Sequence, residues 1–256
     1  MGYLVIVMPS KIVLRCQGGF CNRFRAIVSA VLWAEDLGAC LIIYWPVEKG
    51  HMPVKLENLI DPESITGLTY VRNGYIRAKQ VLSVEDMVAS IQASDYEVVI
   101  QSYSTFHKDL VQRTERGLVA LRKIRVVPSL TLIAKNIMPS EELIGLHIRR
   151  TDHVKCIEAS PLWAFENLVS KVLSDAEGSR FLLATDDAAV KERFRQLFGE
   201  AIVSPVMTLG RMTDTQQEMG VVDWLLLQGC QKIYASAGSS FSELAAWRAG
   251  IELVCV

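Results

Sequence analysis

The chain has 256 residues, of which half are hydrophobic and 21% are charged, and its net charge is −1. This length fits one large domain or two domains of about 100–150 residues, and the balanced charge argues against a protein that coats nucleic acid. No apolar run approaches the roughly 18–20 residues that span a bilayer. The apolar start over residues 2–8 lacks the basic leader and the cleavage site of a signal peptide. We therefore expect a soluble, cytoplasmic protein, or a soluble piece of a longer one.

The first half of the chain alternates short β-branched runs with amphipathic stretches, which is typical of a βαβ protein. Apolar residues recur at helical spacing between Asn22 and Leu37, and Gly38 is placed to end that helix. Prolines and scattered glycines over 46–95 predict loops and short elements. The predicted elements are a strand over 11–14, a Gly-rich turn over 17–21, the helix over 22–37, and strands over 39–44 and 97–101.

The second half shows the same alternation more clearly. Ser160 is a predicted N-cap, with Pro161 in the first turn of its helix. The stretch over 125–141 contains two prolines and is the predicted boundary between an N-terminal domain over 1–130 and a C-terminal domain over 131–256. Two such α/β halves leave a cleft, the usual place for a nucleotide ligand. The predicted elements are strands over 143–148, 180–184, 201–204, 232–235 and 251–254, and helices over 160–173, 187–198, 220–229 and 240–249.

The strongest candidate site is the polar run that ends the strand over 143–148. Arg149 and Arg150 follow that strand, at the carboxyl edge where open α/β sheets bind ligands. If the strand continues, their side chains point in opposite directions, so one enters the cleft and the other braces the loop against Asp152. A guanidinium in a cleft suits a diphosphate, because its planar fork grips two oxygens and stays charged. The alternative is an exposed strand end with an Arg–Asp pair.

The turn over 237–240 is a second candidate. Its glycine and serines open a predicted helix at Ser240, where backbone N–H groups and the helix dipole favour an anion. Ser240 and Glu243 also have the spacing of a capping box, so Ser240 equally fits a plain helix cap. A side-chain cap and a phosphate-binding site can occupy the same helix end.

Three acidic residues add further candidates. Asp186 and Asp187 follow a predicted strand and fit either a ribose or sugar hydroxyl or, for one of them, the N-cap of the next helix. Asp223 stands in an otherwise apolar run and lies either on the solvent face or in a ligand site. A carboxylate there can accept the ring N–H and the exocyclic amine of guanine together.

Several common cofactor motifs are missing from the sequence. The glycines of the loop over 18–23 allow close backbone approach to a ligand, but the loop matches neither G-x-G-x-x-G nor G-x-x-x-x-G-K-[ST], which disfavours NAD-binding and P-loop proteins. No D-x-D motif is present to hold Mg²⁺ or Mn²⁺. His147, His153 and Cys156 lack a fourth ligand for zinc, and the six cysteines are expected to be free thiols.

The order of these segments resembles that of the α-1,6-fucosyltransferases and nodulation fucosyltransferases, which are related to the protein O-fucosyltransferases. Residues 145–152 resemble their H-x-R-R-x-D segment, and residues 183–187 resemble the LATDD strand that follows it. Asp223, about 16 residues before the turn at 238–240, resembles their third donor-binding segment. Residues 18–23 are similar to the Gly-rich loop ending in Asn of the O-fucosyltransferases. The resemblance spans most of the chain.

The resemblance implies an α/β fold of the GT-B type, with two Rossmann-like domains facing a cleft. It implies inverting transfer of L-fucose from GDP-fucose to a hydroxyl of a glycan or lipo-oligosaccharide, with no metal or other cofactor. Residues 1–130 would take the acceptor and residues 131–256 the GDP-sugar. The implied catalytic residues are Arg149 on the donor's diphosphate, Glu158 as base, and Asn22 near the reacting centre. The implied donor-binding residues are His147, Arg150, Asp186, Asp187, Asp223, Gly238, Ser239, Ser240, Gly18 and Gly19.

The sequence departs from the family at two positions. In the α-1,6 enzymes the proposed base is a Glu five residues after the motif's Asp. That position is Ile157 here, and the neighbouring Glu158 is the candidate base. Phe241 stands where that subfamily carries Gln, and the chain is short for the family. The open alternatives are a transferase for another GDP-linked sugar and a nucleotide-sugar-binding protein without transfer activity.

Overall fold

The structure is a computed structural model that describes residues 9–49, 51–65, 68–71, 77–93, 96–151, 154–205, 210 and 212–256. The chain divides into two compact units, Met1–Val127 with Met212–Asp214, and Pro128–Arg211 with Thr215–Val256. Each unit is built on a five-stranded parallel sheet. Within the described ranges, every helix is too short or too polar to cross a membrane.

The first unit has the strand order β3-β2-β1-β5-β4. Its strands are β1 (Lys11–Cys16), β2 (Cys40–Tyr44), β3 (Leu68–Val71), β4 (Lys79–Gln80) and β5 (Glu97–Ser102). Its helices are α1 (Phe20–Leu37), α2 (Val84–Gln92), α3 (Lys108–Val111) and α4 (Glu115–Lys123), with 3₁₀ turns at Leu56–Asn58 and Pro62–Ser64.

The β1–α1 pair forms the centre of the first unit. Ile12 and Leu14 on β1 are fully buried, as is Phe24 on α1. Helix α1 ends as the sequence predicts, because Gly38 takes a left-handed conformation (φ 62°) and donates its N–H to the carbonyls of Ala34 and Glu35. The helix begins at Phe20, two residues earlier than predicted.

The second unit has the strand order β10-β9-β6-β7-β8. The strands are β6 (Ile144–Ile148), β7 (Phe181–Thr185), β8 (Ile202–Val203), β9 (Lys232–Ala235) and β10 (Glu252–Cys255). The helices from residue 128 onward are α5 (Pro128–Ile137), α6 (Val154–Ala159), α7 (Leu162–Asp175), α8 (Ala188–Phe198), α9 (Asp214–Gln228) and α10 (Ser240–Ala249), with a 3₁₀ turn at Gly199–Ala201. A buried cluster packs Leu146 of β6 and Phe181 of β7 against Phe165 of α7 and Phe194 of α8.

Several predicted element boundaries are wrong in the second half. Helix α9 begins six residues before the predicted start at residue 220, because its polar first turns carry no apolar periodicity. The N-cap of α7 is Pro161, so the predicted N-cap, Ser160, lies one position before the observed one. The predicted boundary stretch contains α5, which begins at Pro128; proline is tolerated in a first helical turn, where its missing N–H costs nothing.

Candidate functional site

The carboxyl ends of β6 and β9 mark the switch point of the second sheet. From β6 the chain passes to β7 on one side, and it later returns to β9 on the other side. Open α/β sheets bind ligands outside the carboxyl ends of their strands at such a reversal of strand order. The residues that follow β6 and β9 are therefore candidates for a ligand site.

Arg149 lies at this switch point and is held from two sides. Its backbone N–H donates to Ser236 Oγ at 3.0 Å, just beyond the end of β9. Its Nη1 lies 3.0 Å from Asp186 Oδ2, just beyond the end of β7. The Arg149 side chain is only 14% exposed, so its position is well constrained. Three neighbouring strand ends thus hold one arginine at this edge of the sheet, with Ser236 bonding its backbone and Asp186 its guanidinium.

Asp186 connects the loop after β6 to the loop after β7. Its Oδ1 accepts the backbone N–H of Arg150 at 2.8 Å, and its Oδ2 accepts the Thr151 hydroxyl at 2.7 Å. Burial raises the pKa of Asp186, but the charge of Arg149 and the hydrogen bonds from Thr151 and the backbone lower it overall. The carboxylate therefore stays ionised at neutral pH and braces the arginine loop. Its predicted contact with the nucleoside stays a prediction.

Arg150 also supports the loop after β6. Its Nη2 donates to the Ser160 carbonyl at 2.8 Å, its Nη1 donates to the Arg149 carbonyl at 3.3 Å, and its guanidinium lies 5.8 Å from the ring centre of Phe165. Burial lowers its pKa, opposed by the charges of Asp186 and Asp187. Arg150 is thus the arginine that braces the loop. The predicted partner Asp152 lies outside the described residues, and the predicted role of Arg150 at the donor stays a prediction.

His147 is buried on β6 and is neutral at pH 7. Its Nδ1 lies 3.1 Å from Ser242 Oγ, and its ring stacks on Phe241 at 5.0 Å. Burial, with the charge of Arg149 in support and Asp186 opposing, lowers the pKa of His147 to about 4. When the Ser242 hydroxyl donates to the Ser239 carbonyl, which lies 3.3 Å away, Nδ1 carries the ring proton. Nε2 then presents a lone pair, to which no described residue donates.

The turn before α10 differs from the predicted cap. The N-cap is Ser239, which is still extended (φ −92°, ψ 111°), and Ser240 is the first helical residue. The predicted capping box of Ser240 and Glu243 is therefore wrong by one position, and the Ser239 side chain makes no capping hydrogen bond either. Gly238 permits the turn because its φ is 71°. The Ser239 side chain does not cap this helix end, and helix N-termini are common anion sites in proteins, so its role in binding a phosphate stays a prediction.

The remaining predicted acids have separate positions. Asp187 caps α8, accepting the N–H groups of Ala189 and Val190 at 2.8 and 3.4 Å, as one of the two sequence readings proposed. Asp223 lies on α9, where burial raises its pKa to about 7 against the opposing charge of Lys191. Glu158 lies exposed on α6.

The predicted residues of the first unit form their own cluster. Gly18 has a φ of 78°, and a Cβ there would lie 2.9 Å from Asn22 Nδ2, so both conformation and space require glycine. Gly19 is the N-cap of α1. Arg23 is fully buried and donates to the Gly18 carbonyl at 2.8 Å and to the Pro46 carbonyl at 2.7 Å. Arg23 thus fixes the turn at Gly18 that precedes the first turn of α1, where Asn22 lies.

Sequence reasoning missed several residues that position this site. Ser160 accepts the Ala237 N–H at 2.9 Å through its hydroxyl, and Ser236 and Ser242 act as described above. The signal for Ser236 was present, since it follows a buried strand inside a run of small residues. Across the described ranges, no group of three or more His, Cys, Asp or Glu residues is placed to hold a metal ion.

The two parallel sheets with their connecting helices define an α/β protein of the GT-B type, which confirms the predicted fold class. The chain is similar to NodZ α-1,6-fucosyltransferase co-crystallised with GDP, with a TM-score of 0.67 and 16% identity over 93% of this chain and 91% of that one. It is also similar to an Arabidopsis thaliana FUT1 variant in complex with GDP, with a TM-score of 0.66 and 10% identity over 96% of this chain and 70% of that one.

POFUT1 in complex with GDP is a third similar structure, with a TM-score of 0.61 and 10% identity over 96% of this chain and 98% of that one. No protein-family model and no curated protein matches the chain. At these identities the likeness establishes the fold. Function has to be argued from the site, because one fold hosts many activities.

Proposed function

We propose that this chain is a cytoplasmic glycosyltransferase that moves L-fucose from GDP-fucose to a hydroxyl of a glycan or lipo-oligosaccharide, with inversion and without a metal ion. The observation that carries the proposal is Arg149, held between Ser236 and Asp186 at the switch point of the sheet. The similar structures were solved with GDP, and one NodZ crystal was soaked with GDP-fucose. These ligands support a GDP-sugar as the donor.

In this reaction the sugar–diphosphate bond breaks while the sugar gains oxocarbenium character. Negative charge then builds on the leaving GDP. The Arg149 guanidinium and the N–H groups at the start of α10 are suited to stabilise that charge. Under this proposal, these groups supply the positive charge at the diphosphate that a metal ion supplies in other transferases. Direct attack of the acceptor hydroxyl on the face opposite to GDP inverts the anomeric carbon, and a base takes the hydroxyl proton.

Ligand-dependent thermal stability tests the donor class. GDP at a concentration a hundredfold above its Kd should stabilise the protein by about 2.7 kcal/mol, which raises Tm by about 5–10 °C for a chain of this size. UDP, CDP and NAD serve as comparisons, and each nucleotide is repeated with EDTA. A shift caused by UDP or NAD instead of GDP, or a GDP shift that EDTA removes, would contradict the proposal.

Asp223 makes GDP affinity depend on pH. If the ionised carboxylate accepts two N–H groups of guanine, a pKa of about 7 means that GDP binding requires proton loss below pH 7. Affinity should be full above pH 8 and fall by about tenfold per pH unit well below pH 7. Calorimetric titrations between pH 6 and 8.5 measure this, with Asp223→Asn as control. Asp223→Asn should bind GDP more weakly and should lack the part of the pH dependence that comes from this carboxyl group. Identical pH profiles for both proteins would remove Asp223 from guanine recognition.

Glu158→Gln tests the candidate base. Transfer should slow by about 10²–10⁴-fold, which is the usual contribution of general acid–base catalysis, while GDP affinity stays unchanged. Glu252→Gln is the matched control, because Glu252 is exposed at the start of β10, the sheet edge opposite to the site. Turnover of Glu158→Gln at the wild-type rate would show that another group takes the proton. Unmeasurable turnover of the wild-type protein with normal GDP binding would favour a nucleotide-sugar-binding protein.

A further inference from the structure

A pocket of about 470 Å³ opens at the N-terminal ends of α7 and α8. This volume falls within the range of about 300–1,000 Å³ that small-molecule sites occupy. The pocket lies on the α7–α8 side of the sheet, where Arg150 covers Phe165, whereas His147 packs on α10. It is therefore distinct from the place where Arg149 and the start of α10 would hold a diphosphate.

We propose that this pocket binds one pyranose ring of a neutral acceptor sugar, an inference that rests on the proposed function and departs from the expectation that residues 1–130 alone hold the acceptor. The pocket has an apolar part formed by Ile157, Pro161, Leu162 and Val190. A pyranose ring presents C–H groups on its faces and hydroxyls around its edge. Such a ring can lay a face on these apolar side chains while its edge reaches polar groups.

The polar part of the pocket offers one acceptor and one donor. Asp187 uses Oδ1 to cap α8, and no described residue donates to its Oδ2. Arg193 uses Nε and Nη2 to hold both oxygens of Glu166, and its Nη1 has no acceptor among the described residues. Sugar hydroxyls both donate and accept hydrogen bonds, so a carboxylate oxygen beside a guanidinium N–H suits them.

The charge of the pocket favours a neutral ligand over an anion. Arg193 is neutralised by Glu166, and the charges of Asp186 and Asp187 act on Arg150. The charged side chains that line the pocket therefore balance, so a phosphate or carboxylate would find no surplus of positive side-chain charge here.

Two adjacent alanines provide a matched pair of variants. Ala188 and Ala189 are both exposed in the first turn of α8, but only Ala189 lines the pocket. Ala189→Phe should fill the pocket, whereas Ala188→Phe places the same ring outside it. The cap is kept in both, since Asp187 bonds the backbone N–H of Ala189 and not its side chain. If either Phe variant fails to fold, the Leu pair repeats the comparison.

The probes are the methyl glycosides of glucose, galactose, mannose and N-acetylglucosamine, with methyl glucuronide as the acidic comparison. Saturation-transfer NMR is recorded for each glycoside, with and without GDP. At least one neutral glycoside should give a signal that Ala189→Phe lowers at least fivefold and Ala188→Phe leaves unchanged. The inference is overturned if no neutral glycoside gives a signal, if both variants behave alike, or if only the glucuronide binds.

GDP titrations of the same proteins separate this inference from the proposed function. Unchanged GDP affinity in Ala189→Phe together with a lost glycoside signal supports the acceptor pocket. A wild-type protein that binds no GDP contradicts the proposed function, and the glycoside comparison then still decides whether the pocket takes a sugar. Normal GDP binding without the expected glycoside difference overturns the pocket alone.

Discussion

Replacing Arg149 by alanine should lower the rate of sugar transfer by at least about 10²-fold. The guanidinium is the fixed cation at the switch point of the second sheet, and removal of one preorganised group that stabilises transition-state charge costs about 10²–10³ in kcat. The leaving diphosphate has no other described arginine or lysine held between three strand ends. Release of GDP from GDP-fucose and formation of fucosylated acceptor, measured under saturating donor, report the effect.

Two control variants make the Arg149 result specific. Arg149→Lys keeps the charge but loses the two-pronged fork, so its rate should fall between those of wild type and Arg149→Ala. Arg180→Ala removes an exposed arginine that pairs with Glu141, and its rate should be that of wild type. An Arg149→Ala rate within threefold of wild type would leave the proposed mechanism without its main electrostatic group.

Replacing Arg23 by methionine should lower the free energy of unfolding by about 2–4 kcal/mol, because two backbone carbonyls lose their donor at about 1–3 kcal/mol each. The Arg23 guanidinium is fully buried, lies 4.6 Å from the ring centre of Trp45 and donates to the carbonyls of Gly18 and Pro46. Methionine would leave these part-buried carbonyls without that donor. Urea unfolding of the two proteins measures the difference.

Arg122→Met is the control for this stability prediction. Arg122 is exposed near the end of α4, so its replacement should change the free energy of unfolding by no more than about 0.5 kcal/mol. A loss below about 1 kcal/mol in Arg23→Met would mean that the turn at Gly18 is held by other contacts. If the variant stays folded, weaker transfer with unchanged GDP binding is expected, because Arg23 holds the turn that leads into the first turn of α1, where Asn22 lies.

Sequence periodicity predicted most of the strands and the long helices, since buried strands and amphipathic helices leave a clear apolar pattern. The end of α1 was predictable because Gly38 is needed for a left-handed cap. Helix α5 was missed because the prolines at 128 and 139 suggested a domain boundary, although Pro128 occupies the first turn of the helix. A helix of only six residues, such as α6, carries too little periodicity to be predicted from sequence.

The residues of the site were easier to predict than their partners. Arg149 and Asp186 both stood out because they follow buried strands, but the sequence suggested Asp152 as the acid that braces the arginines. In the structure Asp186 contacts the arginine loop, because parallel pairing of Ile148 with Thr185 brings the next residues of both strands together. The predicted partner Asp152 lies outside the described residues, so its role stays a prediction. Register between strands is a tertiary property that one sequence does not reveal. The same limit hid the contacts of Ser236 with the arginine loop.

The Ser242 hydroxyl has only one proton, and this limits which groups of a nucleotide His147 could bind. With that proton donated to the Ser239 carbonyl, Nε2 of His147 can only accept a hydrogen bond at neutral pH. An N–H or O–H group satisfies that nitrogen, whereas a fully ionised phosphate oxygen would face it lone pair to lone pair. Under the proposed function, the buried imidazole would therefore favour the base or sugar end of a GDP-sugar near β6 and leave the phosphates to Arg149.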